Sequence, residues 1–188
     1  MIKLDNFPIR RQQTPYTCGY AAIGMISSFL GKQIEEEEIP KGFLFKMMKG
    51  LLSSQFIRTF ERCLPEYSIE LRTAPKEIIV ETIIQQLKDG IPVPIIYSTV
   101  NDFDKPNLVM HYAIVVGIDE RKAKVVLANP FGYEEILELE DFLAKMAYRN
   151  YTEKPFMIRL VLLLGILKRN SMFVIRNRGS GSTSHNSG

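Results

Sequence analysis

Apolar residues recur at helical spacing in the segment that follows Cys18. They lie three and four residues apart, as on the core-facing side of a helix, and they are Ala22, Met25, Ile26, Phe29 and Leu30. Gly31 follows at the place where a helix commonly ends, because glycine enters the left-handed backbone region freely. The pattern predicts a buried helix that Thr17 caps and that carries Cys18 in its first turn.

Two more helices are predicted in the first half of the chain. Ser53 or Ser54 is a suitable cap for a helix that runs through Cys63. Pro75 is expected at the first position of the next helix, which Gly90 ends. The first half is therefore predicted to be mainly helical.

Strand-like runs dominate the second half. Val93 to Tyr97 is a short apolar run, and His111 to Ile118 is apolar on both faces, as in the centre of a sheet. A polar turn over 119–122 leads into a strand over 124–128 that is expected to pair with the His111 strand.

A third group of segments is expected to complete the domain. A short helix is predicted over 139–148, and runs over 156–167 and 172–175 are expected to form a closing hairpin. Helices followed by antiparallel strands are the order of an α+β domain.

Composition is that of an ordinary globular protein. The chain has 188 residues, of which 46% are hydrophobic and 24% charged, which fits one domain with a full core. Residues 1–178 are expected to form that domain. Residues 179–188 are small or polar, so they are expected to be a disordered tail of the kind that expression scars produce. His185 lies in this tail, which leaves His111 as the histidine of the predicted domain.

Charge and cysteine content exclude several classes of function. The 24 basic and 21 acidic residues are spread along the chain, so no nucleic-acid surface is predicted, and the acidic run 35–38 is interpreted as a solvated helix face. Two cysteines exclude a disulfide scaffold and a zinc site, and no cofactor site is predicted. With no signal region and no apolar run of membrane-spanning length, a cytoplasmic protein without membrane insertion is expected; its oligomeric state stays open.

Cys18 is the first candidate for chemistry. A thiol at a helix N-terminus meets unpaired N–H groups and the positive end of the helix dipole, which favour the thiolate. Gly19 would let a substrate backbone come close. Cys63 stands at the opposite end of a predicted helix and is interpreted as structural, which is the commoner role of a single cysteine.

His111, Asn129 and Gln12 complete the candidate set. His111 begins the central strand, where an imidazole can take a proton from a thiol and return it to a leaving amine. The predicted hairpin brings Asn129 to the same rim, where its amide can orient the imidazole. Gln12 can add an amide N–H to the Cys18 backbone N–H as donors to an oxyanion. Each residue alone also fits a core or turn role, so the hypothesis rests on the ordered set.

This ordered set resembles the papain-fold cysteine peptidases of the C39 type, the bacteriocin-leader-processing peptidases and their stand-alone relatives. The matching segments span roughly residues 8–150 and are Gln12, Cys18-Gly19, the helix end at Phe29-Leu30-Gly31, His111 to Gly117, and Asn129 to Gly132. The resemblance implies N-terminal helices packed on a C-terminal antiparallel sheet. It also implies Cys18 as nucleophile, His111 as general base and acid, Asn129 as orienting residue and Gln12 in the oxyanion hole, acting on a peptide or protein substrate.

Several functions stay open beside peptide hydrolysis. The same thiol chemistry serves acyl transfer when an amine, rather than water, resolves the acyl-enzyme. A non-catalytic peptide-binding module with a papain-like groove is the alternative from another class, and a regulatory protein recognised through 35–38 is a third. Because all four positions hold chemically competent residues, a cysteine peptidase is the function expected.

The peptidase hypothesis makes two geometric and electrostatic predictions. The Cys18 thiol, His111 and Asn129 should meet at one rim of a cleft between the helices and the sheet, with the thiol near an imidazole nitrogen. The thiol pKa should be lowered and the histidine pKa raised, as in a coupled ion pair.

Overall fold

A seven-stranded sheet organises the described part of the chain; the computed structural model describes residues 1–39, 50–100, 103, 108–149 and 168–181. The strands are β1 Ile2–Lys3, β2 Tyr67–Thr73, β3 Val93–Val100, β4 Leu108–Asp119, β5 Lys124–Asn129, β6 Tyr133–Glu138 and β7 Ser171–Asn177. Their order across the sheet is β2-β7-β3-β4-β5-β6, and β1 pairs with β4. All of these pairings are antiparallel.

Helices cover both faces of this sheet. Four lie in the described residues: α1 Cys18–Phe29, α2 Ser53–Cys63, α3 Lys76–Lys88 and α4 Leu139–Met146. Residues of α1 and α2 share one apolar cluster with alternate residues of β4 and β7. Residues of α3 and α4 share a second cluster with the intervening residues of the same strands. The α+β class predicted from the sequence is confirmed.

Helix α1 is enclosed on every side. Nine consecutive residues from Gly19 to Ser27 are buried, so the single apolar stripe predicted from the spacing understates its burial. The helix ends as predicted at Gly31, whose φ of 89° lies in the left-handed region. The Lys32 N–H closes the last turn by donating to the Ser27 carbonyl at 2.8 Å. A helix this enclosed holds its first residue, Cys18, in a fixed place.

Several predicted boundaries are confirmed and others are corrected. The helix through Cys63 and the β4–β5 turn are confirmed, but Leu52 rather than Ser53 or Ser54 is the N-cap residue of that helix, and the strand predicted from His111 begins earlier, at Leu108. Pro75 is the residue before α3 rather than its first residue, since its backbone is extended and its carbonyl accepts the first helical bond, from Ile79 at 3.0 Å. The predicted strand over 156–167 lies outside the described residues, and β7, its predicted partner, pairs instead with β2 and β3.

The acidic run and the chain end also differ from expectation. Residues 35–38 form a turn rather than a helix face. Glu36 is 9% exposed and accepts the backbone N–H of Gln13 at 3.3 Å. A short 3₁₀ helix, Arg178–Gly181, follows β7, so the predicted tail begins with local structure.

Phe56 of α2 joins three elements, and its removal should be costly. Its ring stacks on Tyr112 of β4 and packs on Phe173 of β7, with both centroid separations at 4.7 Å. We expect Phe56→Ala to lower the free energy of unfolding by about 3–5 kcal/mol, because it removes a fully buried ring from a close-packed core. Urea unfolding measures the loss. Ile136→Ala, on a side chain that is 58% exposed, should change stability by less than about 0.5 kcal/mol; equal losses would contradict the packing described.

Candidate active site

Cys18 is the first residue of α1. The residue is partly exposed, while its sulfur is surrounded by protein atoms that include the backbone N–H groups of Gly19 and Tyr112. Because Tyr112 directly follows His111, the thiol lies against the strand that carries the candidate base. Cys63 is the buried last residue of α2, in the core, as the structural interpretation predicts.

The loop before Cys18 is held together at the carbonyl oxygen of Thr14. This oxygen accepts the Gln12 Nε2 amide at 2.7 Å, the Thr17 backbone N–H at 3.2 Å and the Thr17 hydroxyl at 3.1 Å. Thr17 is the N-cap residue of α1, as predicted, but its hydroxyl stabilises the loop and makes no side-chain capping bond to the helix. The same bonds hold the Gln12 amide against the turn that leads into Cys18.

The backbone at Gln12 also bonds to the segment that follows Asn129. Its backbone N–H donates to the Pro130 carbonyl at 2.7 Å, and the neighbouring residue Arg11 forms a β-bridge with Phe131. Gln12 is 2% exposed, and its Oε1 accepts no hydrogen bond from the described residues. The segment that carries Gln12 therefore runs beside the residues that follow Asn129.

Gly19 packs closely against two side chains of the core. A Cβ atom added there would lie 3.0 Å from Leu51 Cδ2 and 3.3 Å from Tyr112 Cδ2. Both distances are too short for an undisturbed core. A side chain at this position would therefore force Leu51 or Tyr112 to shift by a few tenths of an ångström, and the space beside Gly19 on that side is filled by these two residues.

His111 and Asn129 are directly bonded to each other. The imidazole Nε2 lies 2.9 Å from Asn129 Oδ1, and both residues are buried. The Phe131 backbone N–H donates to the same Oδ1 at 2.9 Å, which identifies this atom as an acceptor. Nε2 therefore carries the proton of the neutral ring, and Nδ1 is left as an acceptor.

The other end of the Asn129 amide meets two residues that the sequence analysis missed. Asn129 Nδ2 donates to Glu135 Oε2 at 2.8 Å and to the Tyr97 hydroxyl oxygen at 3.0 Å, and the Tyr97 hydroxyl donates to Glu135 Oε2 at 2.6 Å. Glu135 lies on β6, an edge strand that the sequence analysis did not predict. The signal that could have found it is the turn at Gly132, which folds β6 back beside Asn129.

Aromatic rings enclose the His111 imidazole. Phe131 stacks on it with centroids 4.1 Å apart and an interplanar angle of 21°, and the Tyr97 ring lies 6.1 Å away. This burial lowers the pKa of His111 from 6.5 to about 4, although the hydrogen bond to Asn129 acts in the opposite direction. The imidazole is therefore neutral near pH 7.

The Cys18 thiol is also neutral in this structure, which corrects the predicted ion pair. Burial raises the pKa of Cys18, and the Glu36 carboxylate raises it slightly further. The N–H groups of Tyr112, Gly19 and Cys18 itself lower it, but by less than burial raises it. The raised thiol pKa and the lowered histidine pKa are both opposite to the prediction. Both shifts have the same cause, since removal from water disfavours the charged thiolate and the charged imidazolium.

The candidate residues thus form two bonded groups at one rim of the sheet. His111 and Asn129 share the sheet face that α3 and α4 cover, whereas Cys18 packs with the cluster on the α1 face. Within the described ranges, none of the hydrogen bonds joins the thiol to the imidazole, so the predicted contact between the thiol and a ring nitrogen is not present in this structure. The two groups meet at the His111–Tyr112 peptide, where one residue bonds Asn129 and the next presents its N–H to the sulfur.

Comparison with known proteins assigns this arrangement to a family. The family model described as the Peptidase_C39 like family matches residues 4–155, which contain all four candidate residues. The chain belongs to this family. The C39-like chain is therefore a member of a cysteine peptidase family, as the resemblance in its sequence predicts. None of the curated proteins matches it.

A solved structure supports the same fold for the C39-like chain. The peptidase domain of Streptococcus ComA, a bi-functional ABC transporter involved in a quorum sensing pathway, aligns with a TM-score of 0.56 at 10% sequence identity. The alignment covers 92% of this chain and 100% of that domain. At this identity the likeness concerns the fold, and it confirms the papain-like arrangement of helices on an antiparallel sheet. No helix among the described residues has the length and apolarity to cross a membrane.

The lowered histidine pKa predicts a specific loss of stability in acid. The pKa of His111 is about 4 in the folded chain and about 6.5 in an unfolded one, so the unfolded state takes up its proton first as pH falls. The stabilisation is complete above about pH 6.5 and is lost as pH falls through about 4, by up to about 3 kcal/mol. Urea unfolding at about pH 7 and about pH 4.5 measures it.

Two variants separate His111 from the other groups that titrate in acid. His111→Gln keeps a side-chain donor for Asn129 but does not titrate, so its stability should fall less between the two pH values than that of the unchanged chain. His185→Asn, in the polar C-terminal tail, should keep the full dependence. An identical pH dependence for all three proteins would show that His111 is not buried in the neutral form.

Proposed function

We propose that this C39-like chain is an active cysteine peptidase that hydrolyses peptide bonds in a peptide or protein substrate. Cys18 is the proposed nucleophile, His111 the general base and acid, and Asn129 the residue that orients the imidazole. The observation that carries the proposal is the 2.9 Å contact between His111 Nε2 and Asn129 Oδ1, beside the strand N–H that faces the Cys18 sulfur. We further propose that residues 1–178 act as one catalytic domain.

The first half of the reaction uses the neutral thiol and the neutral imidazole together. As the substrate carbonyl approaches, the Cys18 side chain turns toward the imidazole, and its S–H proton goes to His111 Nδ1, which Asn129 leaves free as the acceptor. This turn is part of the proposal, because no hydrogen bond among the described residues joins the thiol to the ring. The S–C bond forms as the carbonyl π electrons move to oxygen. Proton transfer is proposed to occur together with the attack because the thiol and the imidazole are both buried. A thiolate formed beforehand would be disfavoured by its removal from water.

The developing oxyanion has two proposed donors. The Cys18 backbone N–H at the start of α1 is the first. The Gln12 side chain is the second, because an amide nitrogen carries two hydrogens and the Thr14 carbonyl accepts one of them. The Thr14 contact would then hold the Gln12 amide in place before substrate binds, which is what stabilisation by fixed dipoles requires.

The second half of the reaction releases both products. The imidazolium returns its proton to the leaving amine nitrogen as the C–N bond breaks, which leaves an acyl-thioester on Cys18. Water then gives a proton to His111 and attacks the thioester carbonyl, and the thiolate leaves and recovers that proton. An amine in place of water would give acyl transfer with the same residues.

Cleavage of peptides by matched cysteine variants tests this proposal. The chain is incubated near pH 7.5 with a mixture of synthetic peptides that covers all residue types, and products are followed by mass spectrometry. We expect Cys18→Ala to abolish cleavage and Cys63→Ala to retain it, because Cys63 is buried in the core at the end of α2. The thioester intermediate should appear on Cys18 as a mass adduct when turnover is stopped with acid.

Two results would contradict the peptidase proposal. Equal cleavage by the Cys18→Ala variant would assign the activity to a contaminant. Saturable peptide binding without cleavage would favour the non-catalytic peptide-binding module, for which the buried thiol with a raised pKa is the supporting observation. Added amine distinguishes transfer from hydrolysis, since amide products form only when the acceptor reaches the acyl-enzyme.

The proposed oxyanion role of Gln12 has its own test. Gln12→Ala should lower kcat by roughly 10²–10³-fold, while the free energy of unfolding falls by only about 1 kcal/mol through the lost bond to Thr14. Steady-state kinetics on a peptide from the mixture and urea unfolding measure the two effects. Gln13→Ala is the matched control, since Gln13 is the exposed neighbour and should keep the rate; equal loss at both positions would refute the assignment.

A further inference from the structure

Glu135 is a largely buried carboxylate that stands directly behind Asn129. Its side chain is 15% exposed. Oε2 accepts Asn129 Nδ2 at 2.8 Å and the Tyr97 hydroxyl at 2.6 Å. Oε1 lies 3.7 Å from the Lys145 ammonium, which also pairs with Asp141 at 3.4 Å. The carboxylate therefore has partners on both oxygens, with the Asn129 amide and the Tyr97 hydroxyl on the side nearer His111.

The contacts at the two ends of the Asn129 amide fix its orientation. The Phe131 N–H requires an acceptor at one end, and the Glu135 carboxylate requires a donor at the other. A rotation of 180° about the amide axis would set two donors against each other at Phe131 and two acceptors at Glu135. The bond to Glu135 is the stronger of the two constraints, because its acceptor is charged.

We infer that Glu135 is a positioning residue that holds the oxygen of Asn129 toward His111 and thereby keeps the imidazole in the tautomer with Nδ1 free. The inference rests on the proposed function, in which Nδ1 receives the thiol proton. Glu135 thus acts on the reaction through Asn129 and without touching the substrate.

The same geometry means that the side chain tolerated at position 129 depends on the side chain at position 135. An aspartate at 129 would set one carboxylate oxygen where Nδ2 now stands, 2.8 Å from Glu135 Oε2. Two carboxylates at that separation do not both ionise, and one keeps its proton with a raised pKa. A glutamine at 135 would relieve this conflict, because its amide can donate to the aspartate.

A double-mutant cycle tests the dependence. Glu135→Gln alone should lower kcat roughly tenfold with little change in KM, since it replaces a charged acceptor by a neutral one. Asn129→Asp alone should lower kcat roughly 100-fold, and adding Glu135→Gln to it should restore on the order of tenfold. Rescue by a change that is harmful on its own is not expected of a merely structural residue. Glu134→Gln is the matched control: Glu134 neighbours Glu135 on β6 and pairs with Lys3 at 2.7 Å, so it should give no rescue.

NMR spectroscopy gives a readout that needs no substrate. The ring nitrogens of His111, assigned with His111→Gln, should report a proton on Nε2 in the unchanged chain. In Asn129→Asp a side-chain carboxyl should titrate with a raised pKa, and in Asn129→Asp/Glu135→Gln it should not. The other titratable groups around it are His111, Tyr97, Tyr133, Lys145 and Asp141.

The possible outcomes separate this inference from the peptidase proposal. Additive effects in the cycle, or a proton on Nδ1 in the unchanged chain, would overturn the role of Glu135 even if the chain cleaves peptides. If no peptide is cleaved, the peptidase proposal fails. In that case the tautomer and the carboxyl titrations still decide whether Glu135 orients Asn129 and, through it, His111.

Discussion

The buried amide of Asn129 is the contact on which the candidate site depends. Its oxygen holds His111 Nε2 and the Phe131 N–H, and its nitrogen donates to Glu135. Every polar atom of this side chain has a partner, so its burial costs little. An amide with opposite partners at its two ends cannot turn over, and this asymmetry determines which imidazole nitrogen carries the proton. The partners of the Asn129 amide thus decide the tautomer of the His111 ring.

Burial outweighs the helix dipole at Cys18. A helix N-terminus stabilises a nearby anion by about 0.3–1 kcal/mol at an exposed site, whereas full burial shifts the pKa of an ionisable group by up to 3–5 units, each about 1.4 kcal/mol. The enclosed start of α1 therefore leaves a neutral thiol, and the stacked Phe131 ring leaves a neutral His111. In the proposed reaction, proton transfer therefore accompanies the attack on substrate instead of preceding it.

The sheet brings together residues that are distant in sequence. β4 and β5 form the hairpin that aligns His111 with Asn129, and the turn at Gly132 returns β6 so that Glu135 reaches the same amide. The segment before α1 closes the arrangement from the other side, through the bond from the Gln12 N–H to the Pro130 carbonyl. Long-range pairing therefore supports the site from three separate stretches of chain.

The sequence by itself determined the helices with one apolar stripe, the central strands and the residue types of the candidate site. These features are local, because each depends on residues that are close together in sequence. Examples are the apolar spacing around Met25, the glycine at 31 and the apolar run after His111. Only the tertiary structure decided the rest. β6 is an edge strand whose mixed polar pattern carries little periodicity, so Glu135 was missed. In β2, by contrast, Tyr67, Ile69 and Leu71 alternate with polar residues, a strand signal that the sequence analysis overlooked. The pKa directions at Cys18 and His111 were reversed for a related reason, because desolvation depends on what packs around a group and not on its neighbours in sequence.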